Sequence, residues 1–446
     1  MTECNRKPFS FSSVSRRRIE ADFDGGTLTS DAGGLLLREV DRRLGLIDQL
    51  AGCLTDPRDP AKIQHDQRTM LAQRIYGIAL GYEDLNDHDE LRHDPLFGVL
   101  AETAPEPDEG LASSPTLCRF EKRIDRKALA RLSGVFVEQF IASFANPPKE
   151  LILDFDPTDV PVHGEQEHRF FHGYYDHYCF LPLYVFCGPQ LLVAYLRPSN
   201  IDPALHARAV LCLLVKRLRQ AWPDVRILFR GDSGFARWKL MRWCEKNRVD
   251  YVIGLARNEV LKRLAEPFLE AAGAEYEKTG RKVRLFDNIA YAADTWDRER
   301  RVIVKAERLP EGPNLRFVVT NLVDLCPHCV YDAMYTPRGD MENRIKEQQL
   351  MLFADRASCH AFLANQFRLL LSSASYVLVE TLRRTALAGT ELATAQVNTI
   401  RLKLFKVAAR VVVSVRRVVF HLSTAYPLQS VFRRIHRHLC TTGPPI

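Results

Sequence analysis

A chain of 446 residues with 46% hydrophobic and 26% charged content is composed like a folded protein of two or three domains, which excludes a disordered or fibrous chain. Its formal charge of +7 comes from 62 Lys+Arg against 55 Asp+Glu, and residues 401–446 alone hold nine of those bases and no acid, a local surplus that points to a polyanionic partner. Met1–Glu20 is polar, without the apolar run of a signal peptide, and Arg410, Arg416 and Arg417 interrupt the apolar stretch Val407–Phe420, so no membrane-spanning helix is expected.

In chain order, residues 1–60 read as an irregular arm with turn signals at Asp24-Gly25-Gly26 and Asp31-Ala32-Gly33-Gly34 and a helix over Leu35–Leu46. Residues 61–148 read as a helical DNA-binding domain. Gln67–Tyr82 sets Leu71, Ile75, Ile78, Ala79 and Tyr82 on one face, and a Pro- and Glu-rich loop covers Thr103–Gly110. Ser113-Ser114-Pro115 then opens a second helix. Its bases Arg119, Lys122, Arg123 and Arg126 suit either a recognition helix or an ordinary basic-faced one. Pro147-Pro148 closes the region.

The pattern then changes to strands. Leu151–Phe155, Leu181–Phe186 and Leu191–Leu196 are followed by a helix (Ala204–Ala221), a strand (Val225–Phe229), a helix (Phe235–Asn247) and a strand (Tyr251–Leu255). Three strands, helix, strand, helix, strand is the element order of an α/β, ribonuclease H-like mixed sheet. The first part of this core spans 149–256. A β-rich insertion is expected over 257–333, the second part of the core with its closing helix over 334–375, and a basic helical region over 376–446. Eleven irregularly spaced cysteines suggest reduced thiols, and Cys326-Pro327-His328-Cys329 lacks the second ligand pair of a zinc site. His163, His168, His172 and His177 match no zinc spacing and are read as loop or strand residues.

Two acidic positions end strands. Asp154 and Asp156 are two apart, so they share a face. Asp232 lies in Gly231-Asp232-Ser233-Gly234, after another apolar strand. A third acid, Glu342, sits on a helix after Tyr335-Thr336-Pro337-Arg338. Singly, these residues are turn formers, helix caps or a solvated face paired with Lys346. Together, in that order, they form a set suited to two hard cations, Mg²⁺ or Mn²⁺, in phosphoryl transfer. No nucleotide-binding Gly-x-x-x-x-Gly-Lys loop is present.

These motifs resemble bacterial insertion-sequence DDE transposases. They are most similar to the thirteen-eighty insertion-sequence family, within the group that carries a Y-(2)-R-(3)-E-(6)-K signature. Tyr335, Arg338 and Glu342 match that signature, Asp156-Pro157-Thr158 the first acidic motif, and Arg230–Phe235 the second. Phe23–Gly34 and Pro115–Glu121 resemble N-terminal segments of the family. The resemblance implies Asp156, Asp232 and Glu342 as catalytic metal ligands, with Asp154 the alternative first ligand. It implies Tyr335 and Arg338 as holders of terminal phosphates. The signature lysine is Gln349 here, and Lys346, one turn earlier, is its substitute. Arg119, Arg123, Arg410, Arg416 and Arg417 are candidate DNA contacts. The implied activity is metal-dependent cleavage and strand transfer of double-stranded DNA at element ends and targets. A homodimer would do this in the bacterial cytoplasm, at the nucleoid. A catalytically silent DNA-binding descendant and a nuclease without strand transfer are the competing readings.

Overall fold

The computed structural model describes residues 8–103 and 110–441, so most of the expected loop over 103–110 lies outside the described residues. The chain opens on a hairpin of β1 (Phe9–Val14) and β2 (Arg17–Ala21), followed by the short β3 (Leu28–Thr29). Seven helices come next: α1 (Gly34–Leu44), α2 (Leu46–Gly52), α3 (Gln67–Leu80), α4 (Asp87–Leu91), α5 (Pro95–Leu100), α6 (Ser114–Lys122) and α7 (Arg126–Ala142). Helix α3 starts where the Asp66 carboxylate accepts from Thr69 N and stops at Gly81, whose φ of 102° is open to glycine. It is buried all round from Thr69 to Leu80, so it is a core helix rather than an amphipathic surface one. The expected recognition helix is broken: α6 ends at Lys122, and Asp125 caps α7 by accepting from Ala128 N.

Six strands follow before the next helix: β4 (Glu150–Pro157), β5 (Val160–Pro161), β6 (Phe170–His172), β7 (His177–Phe180), β8 (Leu183–Cys187) and β9 (Gln190–Tyr195). Then come α8 (Ala207–Ala221), β10 (Arg226–Gly231), α9 (Trp238–Lys246), β11 (Val249–Leu255), α10 (Glu259–Thr279), β12 (Val283–Tyr291), β13 (Arg300–Leu309) and β14 (Gly312–Thr320). The main sheet has eight strands in the order β12-β13-β14-β11-β10-β4-β8-β9. Its centre, β11-β10-β4, is parallel, and both wings are antiparallel. The stretch expected as a β-rich insertion therefore begins with a 21-residue helix and adds three strands to the edge of the same sheet. The first of these, β12, runs unbroken through Asp287 and Asn288.

Alternation along the strands builds two cores. Leu151, Leu153 and Phe155 of β4, Ile227 and Phe229 of β10, and Tyr251 and Ile253 of β11 point to one face, under α8, α9 and α10. Tyr184, Phe186, Leu191 and Ala194 point to the other, under α7 and α12 (Phe362–Thr381), where the helical body packs. That body encloses charge as well as apolar side chains. Glu121 accepts from Arg74 at 2.9 Å and from Arg368 at 2.8 Å, and Arg74 also meets His88 Nε2 at 3.0 Å. Burial and Arg74 press the His88 pKa down to about 3, which keeps it a neutral acceptor.

The C-terminal region corrects an expectation. Residues 404–418, read as a helix presenting bases, instead hold β15 (Ala409–Ser414), which pairs with β16 (Arg417–Leu422) and with β3. Val411, Val412, Val413, Val415, Val418 and Val419 are β-branched, which disfavours helix and suits a pleated surface. The basic stripe is also divided. Arg401 is buried and donates to the Ala79, Ile78 and Met351 carbonyls. Lys406 pairs with buried Asp31 at 2.6 Å. Gly33 makes this docking possible, since a Cβ there would overlap the Leu404 carbonyl. The last helix of the described residues, α14 (Gln429–Thr441), follows the short α13 (Val397–Ile400) and the hairpin. Cys326 and Cys329, expected as free thiols, are joined in a disulfide. Among the described residues no helix is long and apolar enough to cross a membrane.

Glu121→Ala should strand the buried guanidinium of Arg74 and the partly buried one of Arg368 and cost about 3–5 kcal/mol of stability, read from urea unfolding, with Glu121→Gln falling between it and the native chain.

Candidate active site

The strand pattern that sends Leu153 and Phe155 into one core sends Asp154 and Asp156 to the opposite face. Leu228 and Arg230 of β10 share that face, and Arg230 lies directly beside Asp154 in the parallel register. Arg230 Nε and Nη2 donate to the two oxygens of Asp154, the second at 2.7 Å, and both side chains are buried. Asp154 is thus engaged at both oxygens. Arg230 Nη1 continues to the Met334 carbonyl at 2.7 Å. That contact fixes the segment that covers this face, a wide helical run over Cys329–Tyr335 whose Val330 and Tyr331 pack on Leu228, Val252, Ile303 and Val318.

The run passes through a tight turn at Thr336–Arg338 into α11 (Gly339–Lys346). Gly254 of β11 is the close approach that lets it sit so low. A Cβ there would overlap the Tyr335 hydroxyl and crowd the Ser233 backbone nitrogen. Arg338 is then held over the end of β4. Its Nη1 lies 3.2 Å from Asp156 Oδ1 and its Nη2 3.0 Å from Glu342 Oε1, so one guanidinium joins acids that are far apart in the chain. Asp232 closes the third side. Its Oδ1 accepts from Gly234 N at 2.9 Å and starts the turn Ser233–Phe235.

The charges of these groups are mutually felt. Burial raises the Asp156 pKa to about 7, opposed by Arg338 and reinforced by Asp232, Glu342 and Asp154. Asp154 and Asp232 are also raised, each mainly by burial, Asp154 against Arg230 and Asp232 against Arg338. Burial weighs against the Arg338 charge, but Asp156, Tyr335, Glu342 and Asp232 outweigh it and hold its pKa up. Burial likewise raises the Tyr335 phenol. Two carboxylates thus bond one cation, and a third, Asp232, is within reach of its charge.

The family described as Transposase DDE domain group 1 matches residues 11–444. The chain belongs to that family. No curated protein matches this transposase-family chain. Among solved structures, a piggyBac transposase in a synaptic complex with hairpin DNA aligns at a TM-score of 0.42. It is 9% identical and covers 84% of this chain and 80% of its own.

Other expected residues fall around the acids or away from them. Lys346 ends α11 and is exposed. Gln349, one turn on, points inward: its Nε2 donates to the Asp159 carbonyl at 2.8 Å and reaches Thr158 Oγ1 at 3.5 Å. It ties the chain after the Glu342 helix to the loop after Asp156. Arg119 is exposed on α6 and reaches Thr116 Oγ1, and Arg123 lies 3.9 Å from Asp56. Arg410, Arg416 and Arg417 are exposed on the β15–β16 hairpin. Sequence reasoning missed Asp159, whose Oδ2 lies 2.9 Å from His177 Nε2, and Tyr175, whose pKa is raised by burial and by Asp159 and Asp156. The spacing of two histidines on a hairpin carried no signal for a partner that folding supplies.

Among the described residues, no group of three His, Cys, Asp or Glu side chains is arranged to hold a metal ion, and Arg338 bonds both Asp156 and Glu342. The donor chemistry nonetheless fits a hard cation. The carboxylates raise one another's pKa, and a positive charge relieves that repulsion.

Asp156 has a folded pKa above its ordinary value, so the folded chain binds the extra proton and loses stability as pH rises from about 4 to about 7. Asp156→Asn should therefore raise Tm at pH 8, and the gain should shrink steadily below pH 7. A gain that grows on acidification would contradict this electrostatic account.

Proposed function

We propose that the chain is a transposase that cleaves the ends of an insertion sequence and joins them to target DNA, with Asp156, Asp232 and Glu342 as its catalytic acids. The observation that carries this reading is Arg338 bonded to both Asp156 and Glu342, with Asp232 close enough to shift the Asp156 pKa. Carboxylates from β4, the end of β10 and α11 converge there, in the chain order expected of the family's acidic triad. The run β9-β8-β4-β10-β11, with its last three strands parallel, supports a ribonuclease H-like core. Strands β12–β14 extend it, and the helices of residues 61–148 are the proposed N-terminal DNA-binding part.

Asp156, Asp232 and Glu342 would hold Mg²⁺ or Mn²⁺, two ions in this reading, whose chemistry is to lower the pKa of water and to neutralise charge at the transferring phosphate. The remaining work belongs to the chain. Arg338 offers a planar fork of donors suited to a phosphate once its carboxylates are otherwise neutralised. Tyr335 sets a buried hydroxyl beside Asp232 and Arg338. Lys346 is an exposed base one turn beyond Glu342. Gln349 holds the loop after Asp156 in place of making the phosphate contact that a lysine would make. Double-stranded DNA, both element ends and target, is the proposed substrate. A homodimer would bring two ends together, in the bacterial cytoplasm at the nucleoid.

The test is to incubate the purified chain with labelled duplex carrying the element's terminal inverted repeats, a target plasmid and Mg²⁺ or Mn²⁺. Joined product is expected, and addition of EDTA should abolish it. Cut but unjoined ends would favour a plain nuclease, and binding without cutting a silent descendant. Single alanine variants of Asp156, Asp232 and Glu342 should lose cleavage while retaining DNA affinity, because that affinity comes mainly from phosphate contacts elsewhere.

The exposed bases of the β15–β16 hairpin give a separate expectation. Replacing Arg410, Arg416 and Arg417 with Ala should weaken all DNA sequences alike. It should also reduce the slope of log affinity against log salt by about 0.9 for each phosphate that is no longer neutralised. An unchanged slope in a folded variant would remove the hairpin from the DNA interface.

A further inference from the structure

Between β4 and β8 the chain leaves the main sheet and forms a small one, β5-β7-β6, whose tip is aromatic. Tyr174 is 85% exposed, Phe171 52% and Tyr178 46%. Rings usually stabilise so short a hairpin by being buried; these face solvent. Phe171 lies edge-on to its cross-strand partner Tyr178 at 5.7 Å between ring centres, and Tyr174 edge-on to Tyr175 at 5.0 Å. The Arg169 guanidinium sits 4.6 Å above the Tyr178 ring, and it also pairs with the exposed Glu165.

The hairpin is tied to the acidic site. His177 meets the Asp159 carboxylate at 2.9 Å, and the Asp159 carbonyl accepts from Gln349 at 2.8 Å. The hairpin that bears the exposed rings is therefore tied to the loop that follows the first acid.

We propose that Phe171, Tyr174 and Tyr178 form a stacking platform for unpaired nucleobases of the strand whose phosphate reaches Asp156, an inference that rests on the chain acting on DNA. Every base has a flat π face, so aromatic side chains accept any sequence, and Arg169 adds a cation to the same surface. Bases within a duplex are already stacked on one another. The platform thus prefers ends with unpaired nucleotides over intact duplex.

The test compares the full chain's affinity for a duplex with a single-stranded overhang and for the same duplex blunt-ended, by fluorescence anisotropy. Tyr174→Ala and Phe171→Ala should each weaken the overhang substrate by roughly 5- to 100-fold and leave the blunt one nearly unchanged, with Tyr174→Phe close to native. Tyr174 is so exposed that its replacement should leave Tm unaltered, which separates the removal of a stacking ring from damage to the fold. Equal losses on both substrates, or no loss on either, would overturn the platform, and no loss is also what a protein-binding role would give. A native chain that binds neither DNA would overturn the functional reading itself, and the platform with it.

Discussion

Arg230 joins its own strand to two other parts of the chain through one guanidinium. It is buried beside Asp154 on the neighbouring parallel strand, and its remaining donor reaches the Met334 carbonyl on the segment that covers the sheet. Breaking a buried pair by losing one partner leaves an uncompensated charge, so the arrangement is enforced by the cost of every alternative. Register between β4 and β10 depends on it, and so does the height at which Tyr335 and Arg338 sit over the strand ends. The glycine at 254 completes the constraint by removing the side chain that would lift that segment away.

With that segment seated, the electrostatics of the acidic face follow. Asp156 is buried among other carboxylates, and a single cation, Arg338, must serve both Asp156 and Glu342. The result is a carboxylate poised near pKa 7 rather than near 4. Such mutual destabilisation is a cost to the fold, and sites that bind cations or phosphates tolerate it because the ligand relieves it. The α11 helix is anchored from its far end as well: Glu347 accepts from Arg383 at 2.7 and 3.1 Å in the helical core, so Glu342 projects from an element fixed at its C-terminal side.

The two faces of the main sheet carry different work. One face packs against α8, α9 and α10 as an apolar layer. The other is divided between the helical body and the acidic site. Gln349 and Asp159 join these regions, since the helix that rises from the site also bonds the loop that leaves β4. A lysine at 349 would place a charge in this internal junction, whereas a neutral amide donates into it without one.

Much of the half of the chain that carries these acids was legible in the sequence for a local reason. Apolar runs of β-branched and aromatic residues ended at Asp156 and near Asp232, and period-two alternation already set Asp154 and Asp156 on one face. The helix Gln67–Leu80 was legible from its apolar spacing, although the spacing showed one apolar face and the fold buries every side. What the sequence could not determine was long-range pairing. Whether the strands of residues 283–320 formed a separate insertion or extended the sheet depended on hydrogen bonds to β11, across a 21-residue helix whose Asn258 and Gly280 caps mark its ends but say nothing of which sheet the next strands join. The valines of 411–419 suited either a packed helix face or a hairpin until β3 offered a partner strand from near the other end of the chain. Charge was least legible of all. Arg401, Lys406, Arg410, Arg416 and Arg417 look alike in sequence, yet tertiary structure buries the first against helix-end carbonyls, pairs the second with Asp31 and exposes the rest, because a base's role is set by the acceptors that folding brings to it.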